Sequence, residues 1–282
     1  MMLNNQAKPA TNGSSLQAVI FDVDGTLADT ERNGHRIAFN QAFDEFNLGW
    51  HWSPEAYAEL LAVAGGKERI GLFIKIHARE MLGKSDLAAW IAHLYQRKSE
   101  IYSALVLAGD VPLRPGIARL ITELRAAGVR LAIATTTAPS SLHSLITANF
   151  KCEMNSLFEV IGAGDMVANK KPAPDVYRWV LEQLELPPEA CLAIEDSFIG
   201  LSAARAAGLP TVITISTYTA DEDFTGSLSV VADLGEPDAP ARYIGGLPLT
   251  GPCVDLPQLR EWHKQHAEAA PQTAVPRTEF SS

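Results

Sequence analysis

The sequence predicts an α/β fold: a doubly wound, mostly parallel sheet as the core, with a small all-helical domain inserted into it. Three observations carry that expectation. From residue 112 onward, short apolar runs alternate with helical patterns, as in repeated strand–helix units. The stretch 34–111 keeps helical periodicity with no convincing strand. The apolar run Val19, Ile20, Phe21 breaks into Asp22 and Asp24, as a strand buried on both faces does where it ends in a loop.

Taken in order, residues 1–17 read as a polar, mobile tail with neither an apolar core nor an arginine-rich amphipathic pattern. After the opening strand, 31–46 reads as a helix whose Ile37, Phe39, Ala42, Phe43 and Phe46 form a broad apolar face. Pro54 opens a second helix carrying Tyr57, Leu60 and Leu61. Ile70, Phe73, Ile74 and His77 mark a third, and Leu87, Trp90, Ile91, Leu94 and Ile101 a fourth. Gly65 and Gly66 form a flexible turn within this helical insertion. Alternation returns at Pro112. Pro115 and Gly116 lead into a helix over 117–127 that Gly128 ends, and 129–134 follows as an apolar strand closed by Thr135, Thr136 and Thr137. A helix from Pro139, a short strand over 158–161, a helix over 174–184 and a strand over 191–194 come next. A helix over 199–207 and a β-branched strand over 211–215 complete the alternation. Beyond it, 229–232 reads as a last strand, 237–257 as a long irregular connection rich in proline and glycine, and 256–266 as a closing helix. Residues 267–282 read as a disordered tail. The core thus comprises 18–33 and 112–266, and the helical domain 34–111.

Composition bounds the function. A chain of 282 residues with 47% hydrophobic and 20% charged residues is large enough for one sizeable domain and a smaller one. A formal charge of −10 argues against general affinity for nucleic acid or anionic membranes. An anionic ligand would need local positive charge. Cys152, Cys191 and Cys253 are scattered, without the spacing of a zinc site or a disulfide framework, which fits a reducing cytosol. No run approaches the length of a membrane span. The expected state is a cytoplasmic monomer or weak dimer acting on a small molecule.

Four signals carry chemistry. Asp22 and Asp24 sit at the carboxyl end of a strand, where ligands bind in open α/β sheets. Gly25 permits a sharp turn directly after them and Thr26 adds a hydroxyl and an amide. Thr135 ends a second apolar strand, Lys171 precedes Pro172 at a helix entrance, and Glu195 and Asp196 end a third strand. Singly, each has an ordinary explanation: a solvated turn, a strand end, a surface lysine, a helix N-cap. In this order and at these strand ends they resemble the four motifs of the haloacid dehalogenase-like (HAD) phosphohydrolases. The resemblance covers roughly 18–215, and Gly-Leu-Ser-Ala-Ala-Arg-Ala-Ala-Gly over 200–208 strengthens it.

That resemblance implies a HAD-like, Rossmannoid core with a helical cap, and a role for each motif. Asp22 would attack phosphorus and form an aspartyl-phosphate, and Asp24 would protonate the leaving oxygen and then deprotonate water. Asp22, Glu195, Asp196 and the backbone carbonyl of Asp24 would bind Mg²⁺, a hard cation suited to oxygen ligands. Thr135 and Lys171 would hold the oxygens of the transferring group.

The helix after the first motif (Asp29-Thr30-Glu31-Arg32-Asn33-Gly34-His35-Arg36), Gly65-Gly66-Lys67-Glu68-Arg69, and the three threonines at 135–137 together resemble the CbbY group of the β-phosphoglucomutase-like HAD enzymes. That group removes a phosphate from xylulose 1,5-bisphosphate, an inhibitor of Rubisco. By this resemblance Thr26, Arg32, His35, Arg36, Gly65, Gly66, Lys67, Arg69, Thr136 and Thr137 are the substrate-binding candidates. The alternatives are a β-phosphoglucomutase-like mutase and a phosphatase for phosphoglycolate or another sugar monophosphate. Against the mutase, the histidine usual on this helix falls on Gly34, with His35 one place later. A catalytically silent binding module of the same fold is the reading from another class.

Overall fold

The computed structural model describes residues 15–63, 65–164 and 166–269. Strand β1 (Ala18–Phe21) is followed by a π-helical turn, Glu31–His35, that runs into α1 (Arg36–Glu45). Helices α2 (Pro54–Leu60), α3 (Gly66–His77) and α4 (Leu87–Ala108) come next, with a 3₁₀ turn at Arg79–Gly83. Then follow α5 (Ile117–Ala126), β2 (Arg130–Ala134), α6 (Pro139–Phe150), the short α7 (Met154–Leu157) and β3 (Val160–Gly162). After these the chain forms α8 (Asp175–Leu184), β4 (Cys191–Glu195), α9 (Phe198–Ala206), β5 (Thr211–Thr214) and β6 (Ser229–Val231). Strand β7 (Tyr243–Gly246) and helix α10 (Leu256–Ala269) complete the described chain.

The seven strands form one sheet in the order β3-β2-β1-β4-β5-β6-β7, parallel except for β7. Because side chains alternate across a strand, Val19 and Phe21 face one core layer with Leu131, Ile133, Leu192 and Ile194. Ala18 and Ile20 face the other, against Val176, Tyr177, Val180 and Leu184 of α8 and Ala203 and Ala204 of α9. Apolar contact on both faces is why these strands read as unbroken hydrophobic runs.

The helices between β1 and α5 enclose an aromatic cluster continuous with the first layer. Trp52, fully buried, stands 4.6 Å from Phe39, 4.8 Å from Phe43 and 5.7 Å from Tyr57 between ring centroids. Asn40 holds Trp52 in place by donating from Nδ2 to its carbonyl (3.0 Å) and accepting from its amide (2.8 Å). The chain re-enters the core beside its exit: Leu113 pairs with Ala28, and the Arg114 amide donates to the Leu27 carbonyl.

Four expectations need correction. The segment 237–257 contains β7, an exposed antiparallel edge strand of sequence Tyr-Ile-Gly-Gly, which buries too little apolar surface to leave a strand signature. The short strand expected at 158–161 lies at Val160–Gly162, because Phe158 points into the core from the lead-in. The closing helix continues to Ala269, past the expected 266; the tail expected from 267 otherwise falls outside the described residues, as does most of 1–17. Within that first segment, Leu16 is buried and the Gln17 amide donates to the Ala190 carbonyl. No helix among the described residues is long and apolar enough to cross a membrane.

Candidate active site

Three adjacent strands deliver acidic groups to one place. Asp22 follows β1, Glu195 ends β4 and Asp196 follows it, and a carboxylate oxygen from each lies within 4.8 Å of the other two. This is the one such cluster among the described residues, and all three are buried. Two glycines make room for it. A Cβ on Gly25 would stand 2.0 Å from Asp196 Oδ2, and one on Gly200 would stand 1.9 Å from Glu195 Oε2. Gly25 also has φ +84°, so the turn after the acids needs a residue free to enter the left-handed region.

Lys171 reaches the cluster from the segment before α8. Its Nζ donates to Asp22 Oδ1 at 2.7 Å and to Glu195 Oε1 at 2.6 Å, and these carboxylates hold its pKa above the ordinary lysine value in spite of burial. Burial pushes the Asp22 carboxyl up to about 7, the charge of Glu195 adding to it and that of Lys171 opposing it. Asp196 is held well above the carboxylate range by burial and by the charges of Asp22 and Glu195. Three buried acids against one lysine suit a divalent cation, and their hard oxygen donors and confined spacing fit Mg²⁺.

Asp24 turns to a different set of partners. Thr30 Oγ1 donates to its Oδ1 and Thr137 Oγ1 to its Oδ2, each at 2.5 Å, and His35 Nε2 lies 3.7 Å from Oδ1. Burial alone would raise its pKa; the hydrogen bond from His35, with those from the two hydroxyls, holds it well below the usual carboxylate value instead. Since Thr137 spends its proton on Asp24, the 2.9 Å contact between the Thr135 and Thr137 hydroxyls has Thr135 as donor. Lys98 Nζ lies 2.8 Å from His35 Nδ1, and an ammonium can only donate, so the ring proton belongs on Nε2, facing Asp24.

Asp24, His35, Thr136 and Thr137 line a cavity of about 530 Å³ between the core and the helical insertion. The insertion contributes Gly65, Gly66, Lys67, Arg69, Tyr95 and Lys98 to the same cavity. Arg69 NH1 is within 3.1 Å of Glu31 Oε1 and 3.0 Å of the Tyr57 hydroxyl, which itself donates to Glu31 Oε2 at 2.5 Å. Lys67 Nζ lies 5.7 Å from the centre of the Tyr95 ring.

Other candidates fall elsewhere. Arg32 reaches out to the Thr217 hydroxyl (3.4 Å) and Arg36 to the Trp52 carbonyl (3.3 Å), and neither lines the cavity. Helical spacing does not say which side of a helix meets the core. Thr26 is also outside the cavity; its amide closes the turn onto the Val23 carbonyl and its hydroxyl is buried without a partner among the described residues. The Asp24 carboxylate is not in the three-acid cluster.

Several residues at the site escaped the sequence reading. Lys98 sits next to Arg97 on a long helix and looks like surface charge, yet it is 4% exposed and stands over the Phe39 ring at 4.8 Å. Burial lowers its pKa to about 8. Tyr177 lies on the apolar face of α8, where a tyrosine reads as packing. Arg114 donates to the carbonyls of Gly25, Thr214, Ile215 (2.6 Å) and Ala232 (2.6 Å), tying the turn after Asp24 to the ends of β5 and β6.

The profile of the haloacid dehalogenase-like hydrolases matches residues 16–208. The plasmid-encoded protein CbbY of Cupriavidus necator is 47% identical over 249 residues, spanning 88% of this chain and 97% of that protein. The crystal structure of CbbY from Rhodobacter sphaeroides in complex with phosphate is similar at 45% identity, with a TM-score of 0.70 over 78% of this chain and 95% of that one. A mutant of that protein in complex with xylulose 1,5-bisphosphate is similar at 43% identity, with a TM-score of 0.71 over 79% and 96%.

Proposed function

Because the chain belongs to the haloacid dehalogenase-like hydrolases and, within them, to the CbbY proteins, we propose that this phosphatase removes one phosphate from a small sugar bisphosphate of the xylulose 1,5-bisphosphate type. One observation carries the bisphosphate part. A single cavity is lined both by Asp24, beside the nucleophile candidate, and by the basic side chains Lys67 and Arg69 of the helical insertion. In a chain of net charge −10, Lys67, together with Arg69 that Glu31 already holds, gives a second phosphate a counter-charge. The phosphate bound to one CbbY structure and the xylulose 1,5-bisphosphate bound to another support the same reading.

In this reading an Asp22 oxygen attacks phosphorus, the bond to the sugar oxygen breaks, and an aspartyl-phosphate forms. Asp24 gives a proton to the departing oxygen, then takes one from the water that hydrolyses the intermediate. The hydroxyls of Thr30 and Thr137 and the nearby His35 ring favour its carboxylate, the form the second step requires. Thr135 and Lys171 hold oxygens of the transferring group. Asp22, Glu195 and Asp196 would hold Mg²⁺, which supplies positive charge against the repulsion between a carboxylate and a phosphate dianion.

The test is phosphate release with Mg²⁺ from xylulose 1,5-bisphosphate, ribulose 1,5-bisphosphate, phosphoglycolate and β-glucose 1-phosphate in parallel, with Asp22→Asn as the inactive control. The first substrate is expected to be preferred, and the control to lose turnover while keeping its fold. Glucose 6-phosphate appearing from β-glucose 1-phosphate with little free phosphate would replace this reading with a mutase. Full activity in Asp22→Asn would remove Asp22 as nucleophile.

A further inference from the structure

Tyr177 lies in the first turn of α8, and the segment leading into that helix carries Lys171. One stretch of chain therefore brings two donors to the same acid. The Tyr177 side chain is fully buried; its hydroxyl donates to Glu195 Oε1 at 2.5 Å, and its ring lies 5.0 Å from Lys171 Nζ. Lys171 donates to that same oxygen at 2.6 Å. A carboxylate oxygen offers about two lone-pair directions, so Oε1 is saturated by these donors. Its twin differs. Glu195 Oε2 accepts one longer contact, 3.3 Å from the Asp196 amide, while the whole carboxylate fills the space that Gly200 leaves open.

We propose that Tyr177 is a positioning residue that makes Glu195 a one-oxygen metal ligand and so biases the site toward Mg²⁺ over Ca²⁺; the proposal rests on the Mg²⁺ reading above. The reason lies in the two ions' coordination. Mg²⁺ requires near-ideal six-fold geometry, whereas the larger Ca²⁺ takes six to eight oxygens and readily accepts both from one carboxylate. With Oε1 occupied by the hydroxyl and the ammonium, Glu195 can offer only Oε2. Without the hydroxyl, Oε1 keeps a single donor and the carboxylate is free to turn and present both oxygens. Phenylalanine would fill the volume and keep the ring beside Lys171, so the hydroxyl itself is what this role requires.

The experiment is calorimetric titration of the metal-stripped full chain with Mg²⁺ and separately with Ca²⁺, for the wild type and Tyr177→Phe, with thermal unfolding of both stripped proteins to verify the fold. Loss of an outer partner of a metal ligand typically weakens binding about 10–100-fold, and a loss in that range is expected for Mg²⁺. Ca²⁺ affinity is expected to change by less than about threefold, because two-oxygen ligation offsets the loss. Ca²⁺ should then also inhibit phosphate release at lower concentration in the variant. Unchanged Mg²⁺ affinity, or equal loss for both ions, would overturn the proposal. If the wild type binds no Mg²⁺, the metal reading fails first, a result distinct from a wild type that binds and a variant that matches it.

Discussion

Asp22, Glu195 and Asp196 bring three acids into a buried volume where Lys171 is the cation in direct contact. Without a metal, burial raises the Asp22 carboxyl to about 7 and holds Asp196 well above its ordinary value. A carboxyl whose folded pKa lies above its unfolded one binds more protons when folded, so the metal-free protein should lose stability as pH rises through about 4 to 7. Asp24 has the opposite shift, but its contribution changes only at more acid pH, and Lys171, held above the lysine value, keeps its charge throughout. Thermal unfolding with a chelator should therefore give a lower melting temperature at pH 8 than at about pH 5.5, and Mg²⁺ should flatten the difference. A melting temperature that rises with pH in the chelated protein would contradict this. At this scale the sequence was legible where polar residues end apolar strands, as at Asp22, Thr135, Glu195 and Asp196. It was not legible for Tyr177 or Lys98, whose places on helices look the same for packing, surface charge and service to a site.

Helix α9 starts beneath the acids, and the glycine in its first turn, Gly200, is there because Glu195 Oε2 occupies the space a side chain would need. Gly200→Ala should force Glu195 to move and cost about 1–3 kcal/mol of stability, with weaker Mg²⁺ binding. A Cβ on Gly71, inside α3, would meet nothing within 4 Å among the described residues. Gly71→Ala should therefore stabilise by about 0.5–1 kcal/mol through the lower entropy of the unfolded chain, without touching the site. Urea unfolding of the two variants measures both, and a neutral Gly200→Ala would show that the glutamate moves without penalty. Elements that bury two faces, such as β1 and β4, were plain in the sequence. Strand β7 was hidden because hydrogen bonding to β6, rather than an apolar pattern, defines it.

Across the molecule, the helical insertion and the core both line the cavity, so in the proposed reading the insertion would choose the substrate and the core would do the chemistry. Lys67→Ala should raise KM for a bisphosphate more than for a monophosphate, in steady-state assays of both. Equal losses would move the distal phosphate elsewhere. Arg69→Ala should do the same and also lower stability by about 3 kcal/mol, because Glu31 and the Tyr57 hydroxyl lose their cationic partner. The helices between β1 and α5 were readable from their periodicity, but the direction their basic residues face depended on packing: Lys67 and Arg69 meet the cavity, Arg32 and Arg36 do not.

The place of β1 in the sheet has a consequence in time. Its neighbours are β2 and β4, which pair Ala18 with Arg130 and with Cys191. A growing chain makes β1 long before either partner exists, so four apolar residues and their unpaired amides must wait while the helical insertion is synthesised and folds. The strand that carries the nucleophile candidate is thus early in synthesis and late in assembly. Until β4 arrives one edge of β1 has no strand to pair with, so the edge is protected only when the second half of the sheet is made.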